Sequence, residues 1–100
     1  MEVSKEIRQA ITTGKVAIGA DKSLKTLKRG QVKLVIVASN CKPALRADLG
    51  HYAKLANVPV YAFGGDSGEL GLACGKPFLV SVLAVVEGGN SNILGLGAHK

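Results

Sequence analysis

Apolar residues recur along this chain in two alternating rhythms, one helical and one extended. Val3, Ile7, Ala10 and Ile11 share a helical face, so residues 3–13 predict an amphipathic helix, with Gly14 where a left-handed C-terminal cap belongs. Lys15 to Ile18 is short and β-leaning, a first strand broken by Gly19. Residues 20–29 return to the helical period, with Ala20, Leu24 and Leu27 on one face and Lys22, Lys25 and Arg29 on the other, and Gly30 closing the segment. Residues 32–38, Val-Lys-Leu-Val-Ile-Val-Ala, are nearly continuous and β-branched, which fits a strand covered on both faces. Ser39 to Lys42 is the loop that follows, and Pro43 suits the first turn of a helix carrying Leu45, Leu49, Tyr52 and Ala56 at i, i+4, i+7 and i+11. Asn57 caps that helix.

The second half repeats the alternation. Residues 58–63 read as a strand, with Pro59 near its start. Gly64 and Gly65 form a loop, and Asp66 with Glu69 three positions on resembles a capping box for a short helix over 67–74, ended by Gly75. Lys76 to Leu79 is a connection, residues 80–86 a fourth strand, residues 88–92 a turn, and residues 93–96 a short hairpin partner at an edge. Helices alternating with strands predict a single α/β domain over residues 1–100. The expected architecture is a three-layer α/β/α sandwich around a mixed four-stranded sheet, with the short edge strand added. Binding loops in open α/β sheets gather beyond the strand ends, where Gly19 and Asn40 both fall.

Composition narrows the function. A hydrophobic content of 47% with few aromatics demands an aliphatic core and argues against disorder. No apolar run approaches the roughly 18–20 residues of a membrane span, and the charged N-terminus gives no sign of a signal peptide. Two isolated cysteines, Cys41 and Cys74, favour reduced thiols and a cytoplasmic setting over a disulfide framework. The formal net charge is +6, and its distribution says more than its total. Residues 15–54 hold nine basic residues against Asp21 and Asp48, a net of +7, while the remainder nets −1. A basic half on a near-neutral body is the footprint of a nucleic-acid or anionic-surface binder.

Enzymatic and metal chemistry find little support. His51 and His99 are far apart, with no Ser-His-acid or Cys-His arrangement, and His51 reads as a helix-surface residue. The cysteines and histidines lack paired ligand spacing, so neither a metal nor a cofactor is expected. The glycines from Gly64 to Gly75 do not space as GxGxxG, and no P-loop follows; they read as turn and close-packing positions. Nucleic acid gathers more. The stripe Lys22, Lys25, Arg29 carries like charges that repel until a polyanion lies along them, and the helix start behind Gly19 offers unpaired N–H groups to phosphate. A solvated amphipathic helix is the plain alternative. Asn40 carries both donor and acceptor for a base edge, or it bonds its own backbone in a turn. Lys42, Arg46 and Lys76 are placed near the same end of the sheet. Phe78 either stacks on an exposed base or is ordinary core.

Several blocks together carry a resemblance to a known family. They are Thr13-Gly14-Lys15, Ile18 to Ser23, Lys33 to Asn40, Tyr52-Ala53, Val60-Tyr61, and Glu69-Leu70-Gly71 leading to Gly75-Lys76-Pro77. Across essentially its whole length the chain resembles the archaeal and eukaryotic large-subunit ribosomal protein "thirty-e" family, within the kink-turn RNA-binding superfamily. The length is similar to that of archaeal members. That resemblance implies a non-enzymatic ribosomal protein, monomeric when free, with ribosomal RNA and neighbouring ribosomal proteins as partners. It implies binding to a sharply bent internal RNA loop flanked by sheared G·A pairs. The implied contacts are Gly19 and Asn40 at those pairs, Ala20, Asp21, Lys22 and Lys25 in the helix turn, and a preference-setting loop at Phe78, Leu79 and Val80. Asp21 departs from the basic residue or Asn usual there, and its carboxylate would repel phosphate. Another kink-turn particle, or a small α/β interaction module with an incidental basic face, are the competing expectations.

Overall fold

A computed structural model describes residues 3–89. The elements run α1 (Val3–Thr13), β1 (Lys15–Ile18), α2 (Ala20–Lys28), β2 (Leu34–Val37), α3 (Pro43–Leu55), β3 (Val60–Ala62), α4 (Ser67–Ala73) and β4 (Val82–Glu87). The strands are shorter than their apolar runs, because Val32, Ala38, Val58 and Val80 are buried in the loops that enter or leave the sheet. The expected edge strand at 93–96 and His99 lie outside the described residues.

The strand order is β1-β4-β2-β3. β2 and β3 are parallel, with Val37 opposite Ala62, while β4 inserts antiparallel to both β1 and β2. The sheet is therefore mixed, as expected, and among the described residues the mixing comes from β4 returning between β1 and β2. The β2 run hides a period of two. Leu34, Ile36 and Ala38 join a core with α1 and α4, through Ile7, Ala10 and Leu70. Val35 and Val37 join a second core with α2 and α3, through Leu27, Leu49 and Ala53. Two cores on one sheet make the three layers. Each fully buried aliphatic side chain in them contributes about 1.5–3 kcal/mol.

Helix ends follow local chemistry. Pro43 opens α3, and Asp66 accepts a hydrogen bond from the Glu69 N–H at 3.0 Å to cap α4. Asn57, with φ 56°, follows the α3 C-cap as a left-handed residue. Gly14 corrects an expectation. It is absent from the positive-φ positions, so no left-handed cap requires it. A Cβ there would instead run into the backbone carbonyl of Glu87 and meet the Gly89 nitrogen at 2.8 Å. Gly14 is small because β4 passes over it.

Candidate nucleic-acid interface

The C-terminal ends of β1, β2 and β3 and the start of β4 come together at one end of the sheet. Backbone hydrogen bonds knit that end. The Gly19 N–H donates to Val82 O at 3.0 Å, Ala38 N–H to Ser81 O at 2.8 Å, Ser39 N–H to Gly65 O at 2.9 Å and Val80 N–H to Ser67 O at 3.1 Å. Gly19 and Asn40 thus lie on either side of the first residues of β4. The helices α2, α3 and α4 all begin from this same end.

Gly19 has φ 102° and ψ 158°, a conformation open essentially to glycine alone. A Cβ there would meet nothing within 4 Å, so the cost of a side chain is in the backbone and the space in front is open. Gly19 is the N-cap of α2 and supplies no side-chain hydrogen bond to the helix start. The N–H groups of the first turn keep their donor character and the positive end of the helix dipole. Ser23 anchors that turn from below. It is fully buried, its N–H donates to Gly19 O, and its hydroxyl donates to Ala17 O at 3.2 Å. The apolar spacing of α2 gave no hint of a buried serine.

Asn40 sits in a tight turn closed by the Cys41 N–H on Ala38 O at 3.2 Å. Its side chain does not bond its own backbone. Oδ1 accepts from the Ser67 N–H at 2.8 Å and Nδ2 donates to Ser67 Oγ at 3.1 Å. The Ser67 N–H fixes which end of the amide is oxygen. One N–H and one lone pair are left over on a side chain held in a single orientation. Ser67 is the residue that sequence reasoning missed: it lies 27 positions away, and only the folded β3–α4 turn brings it near.

The remaining expected residues divide. Lys22 and Lys25 are exposed on the first two turns of α2, Ala20 is half-buried, and Asp21 is exposed beside Lys22. Lys42 is the N-cap of α3, with exposed Arg46 one turn on, its N–H donating to Lys42 O. Phe78 and Leu79 are 57% and 73% exposed, so Phe78 is not a core residue. Val80 is buried and turns away from that surface. Gly71 makes the loop possible, since a Cβ there would run into the Phe78 carbonyl. Lys76 is not at the strand ends. It follows the far end of α4, where its N–H closes on Gly71 O and the Gly75 N–H on Leu72 O, and it flanks the groove that Leu72, Phe78 and Leu79 line. Arg29 likewise stands past the last turn of α2, away from Gly19.

Cys41 and Cys74 are free and buried, and burial raises both thiols, Cys74 to about 11. The Arg46 guanidinium pulls Cys41 back in part, and Lys76 does so for Cys74. Among the described residues no cluster of three potential metal ligands occurs, and no helix is long and apolar enough to cross a membrane.

Comparison with known proteins decides the lineage: residues 1–95 match the ribosomal protein L7Ae/L30e/S12e/Gadd45 family. The chain belongs to that family. Its relatives include a protein named large ribosomal subunit protein eL30 from Methanosphaera stadtmanae, 48% identical over 94% of this chain and 96% of the relative. Proteins of the same name from Methanocaldococcus jannaschii and Saccharolobus solfataricus are 48% and 45% identical, over 100% and 89% of this chain and 91% and 82% of theirs. Membership in the family bears out the resemblance read from the blocks around Gly19 and Asn40.

Proposed function

We propose that this chain is a structural, non-catalytic component of the large ribosomal subunit that grips a kink-turn in ribosomal RNA. The names of its archaeal relatives support the ribosomal assignment. The observation that carries the RNA reading is the shared strand-end edge, where the open Gly19 and the amide of Asn40, held by Ser67, stand together. In this reading the Gly19–Lys22 backbone and the Asn40 amide engage the sheared pairs of the bent loop. Lys22, Lys25, Lys42 and Arg46 meet phosphates, with Asp21 turned to a guanine amino group or to the helix dipole. Phe78 and Leu79 cover the extruded nucleotide, with Lys76 at the outer margin. The protein works on the ribosome in the cytoplasm, next to other ribosomal proteins, and is a monomer when free.

A titration with a kink-turn RNA and a straight duplex of equal length tests this. The kinked RNA binds more tightly, and its affinity falls by about 0.7–0.9 log units per decade of salt for each phosphate contact. Equal affinity for both RNAs ends the proposal. Co-sedimentation with the large subunit separates the ribosome from other kink-turn particles.

A further inference from the structure

The nine cations of residues 15–54 form one basic block in sequence, but the fold deals them to two ends. Lys22, Lys42 and Arg46 go with the Gly19–Asn40 edge, and Lys25 stands between the ends, one turn before Arg29. Lys15, Lys28, Arg29, Lys33 and Lys54 go to the opposite end, where α2 and α3 finish and β1 and β2 begin, and all five are exposed. The nine residues of α2 separate the ends by about 13 Å of helical rise. The body spans 28 × 24 × 23 Å.

Two clefts meet at this far end and share Gly30. One is walled by Lys28, Arg29 and Tyr52; the other by Lys15, Lys33 and Glu87. Gly30, with φ 72° and nothing within 4 Å of a Cβ, leaves the ridge between them low. Two of the cations have local roles. Lys28 lies 5.0 Å over the Tyr52 ring, and both Lys28 and Arg29 suit a helix C-terminus. Those roles do not extend to Lys15 and Lys33, which flank the end of β4 on its two sides, Lys15 opposite Glu87 and the Lys33 N–H on Val85 O. Among the described residues, Glu87 is the one carboxylate on the walls of these clefts. The five cations are exposed around both clefts, and the first cleft is also lined by Leu27, Leu55 and Ala56, with Leu55 70% exposed.

We infer that this far end is a second RNA surface, which holds the phosphate backbone of a duplex segment while the Gly19–Asn40 edge is occupied. The protein is then a two-ended clamp between RNA segments. The surface reads charge and spacing, not bases, so its binding is weak and falls steeply with salt. The clamp rests on the kink-turn reading for the occupant of the Gly19–Asn40 edge, while duplex binding by the far end is measured separately.

The test uses the full chain, a kink-turn RNA, and a blunt RNA duplex of about 20 base pairs at low salt. Protein saturated with kink-turn RNA captures the labelled duplex. The triple variant Lys15→Gln, Arg29→Gln, Lys33→Gln, with its melting temperature checked, captures it at least about tenfold less well, with a log–log salt slope shallower by about two to three. Free protein also loses duplex affinity in the triple variant, by less because its Gly19–Asn40 edge is open, so the far end is tested even if the kinked RNA fails to bind. Capture unchanged in the triple variant, or abolished by saturation with the kinked RNA, overturns the second surface. Tighter binding of a polyglutamate peptide than of the duplex assigns the surface to an acidic protein segment and overturns it equally.

Discussion

The two ends of the molecule that α2 connects both carry exposed cations but differ in the polar groups around them. At the Gly19 end, the lysines surround a rigid polar frame: a glycine-only backbone, an amide clamped by Ser67, and uncapped helix N–H groups. At the Gly30 end, the helix closes on itself, with the Gly30 N–H on Leu27 O and the Gln31 N–H on Thr26 O, and presents carbonyls and ammonium groups. Charge alone attracts any polyanion; a fixed donor–acceptor pattern discriminates among them. The difference between the ends therefore lies in orientation, which is set by hydrogen bonds and backbone conformation and not by net charge.

The contrast breaks most sharply at Asn40. Asn40→Asp keeps an acceptor for the Ser67 N–H and so preserves the frame, but it removes the amide donor and adds a negative charge. The expected result is a melting temperature near that of the parent and a loss of about 1–3 kcal/mol of preference for kinked over straight RNA. Asn40→Ala strips the acceptor as well. It leaves the buried Ser67 N–H unpaired and lowers stability by about 1–3 kcal/mol besides. Binding and thermal denaturation, measured on both variants, separate reading from scaffolding. A parent-like RNA preference in Asn40→Asp would remove Asn40 from the interface.

Gly19→Ala gives the next effect. The Cβ meets open space, so the penalty is the backbone's, about 1–3 kcal/mol. Denaturant unfolding should show a lowered midpoint with an unchanged slope. Duplex capture at the far end should survive, because no far-end cation depends on Gly19.

Much of this was legible in the residues, for identifiable reasons. Two-sided burial of β2 shows as an unbroken β-branched run, and Pro43, Asp66 and Gly75 mark helix ends by local chemistry. The Gly19–Asn40 edge is legible because each residue follows a strand and precedes a helix. What escaped is non-local. Gly14 has the spacing of a helix cap, although the constraint on it is a neighbouring strand. Ser67 and Ser23 look like surface serines until the fold buries them. A single basic block became two surfaces, because a helix of nine residues carries one side of the charge to the other end of the body.

At the far end, Lys28→Gln should cost only about 0.5–1 kcal/mol, by losing the ammonium over Tyr52, and should leave kinked-RNA affinity within twofold or so. A loss as large as that of Asn40→Asp would show that the ends are coupled.

The Cys74 thiol tests the core that α1 and α4 form on one face of the sheet. Burial holds the Cys74 thiol up at about 11, against an ordinary value of 9.0. The unfolded chain therefore releases this proton first as pH rises, and the native state keeps it. Stability that is fully present below pH 9 should decline between about 9 and 11 and then level. The informative quantity is the difference between parent and Cys74→Ala. The alanine variant loses some packing at every pH, yet its decline over that interval should be the shallower of the two. Identical slopes would mean that Cys74 reaches solvent in the native protein, and that the core between α1 and α4 opens more readily than its packing implies.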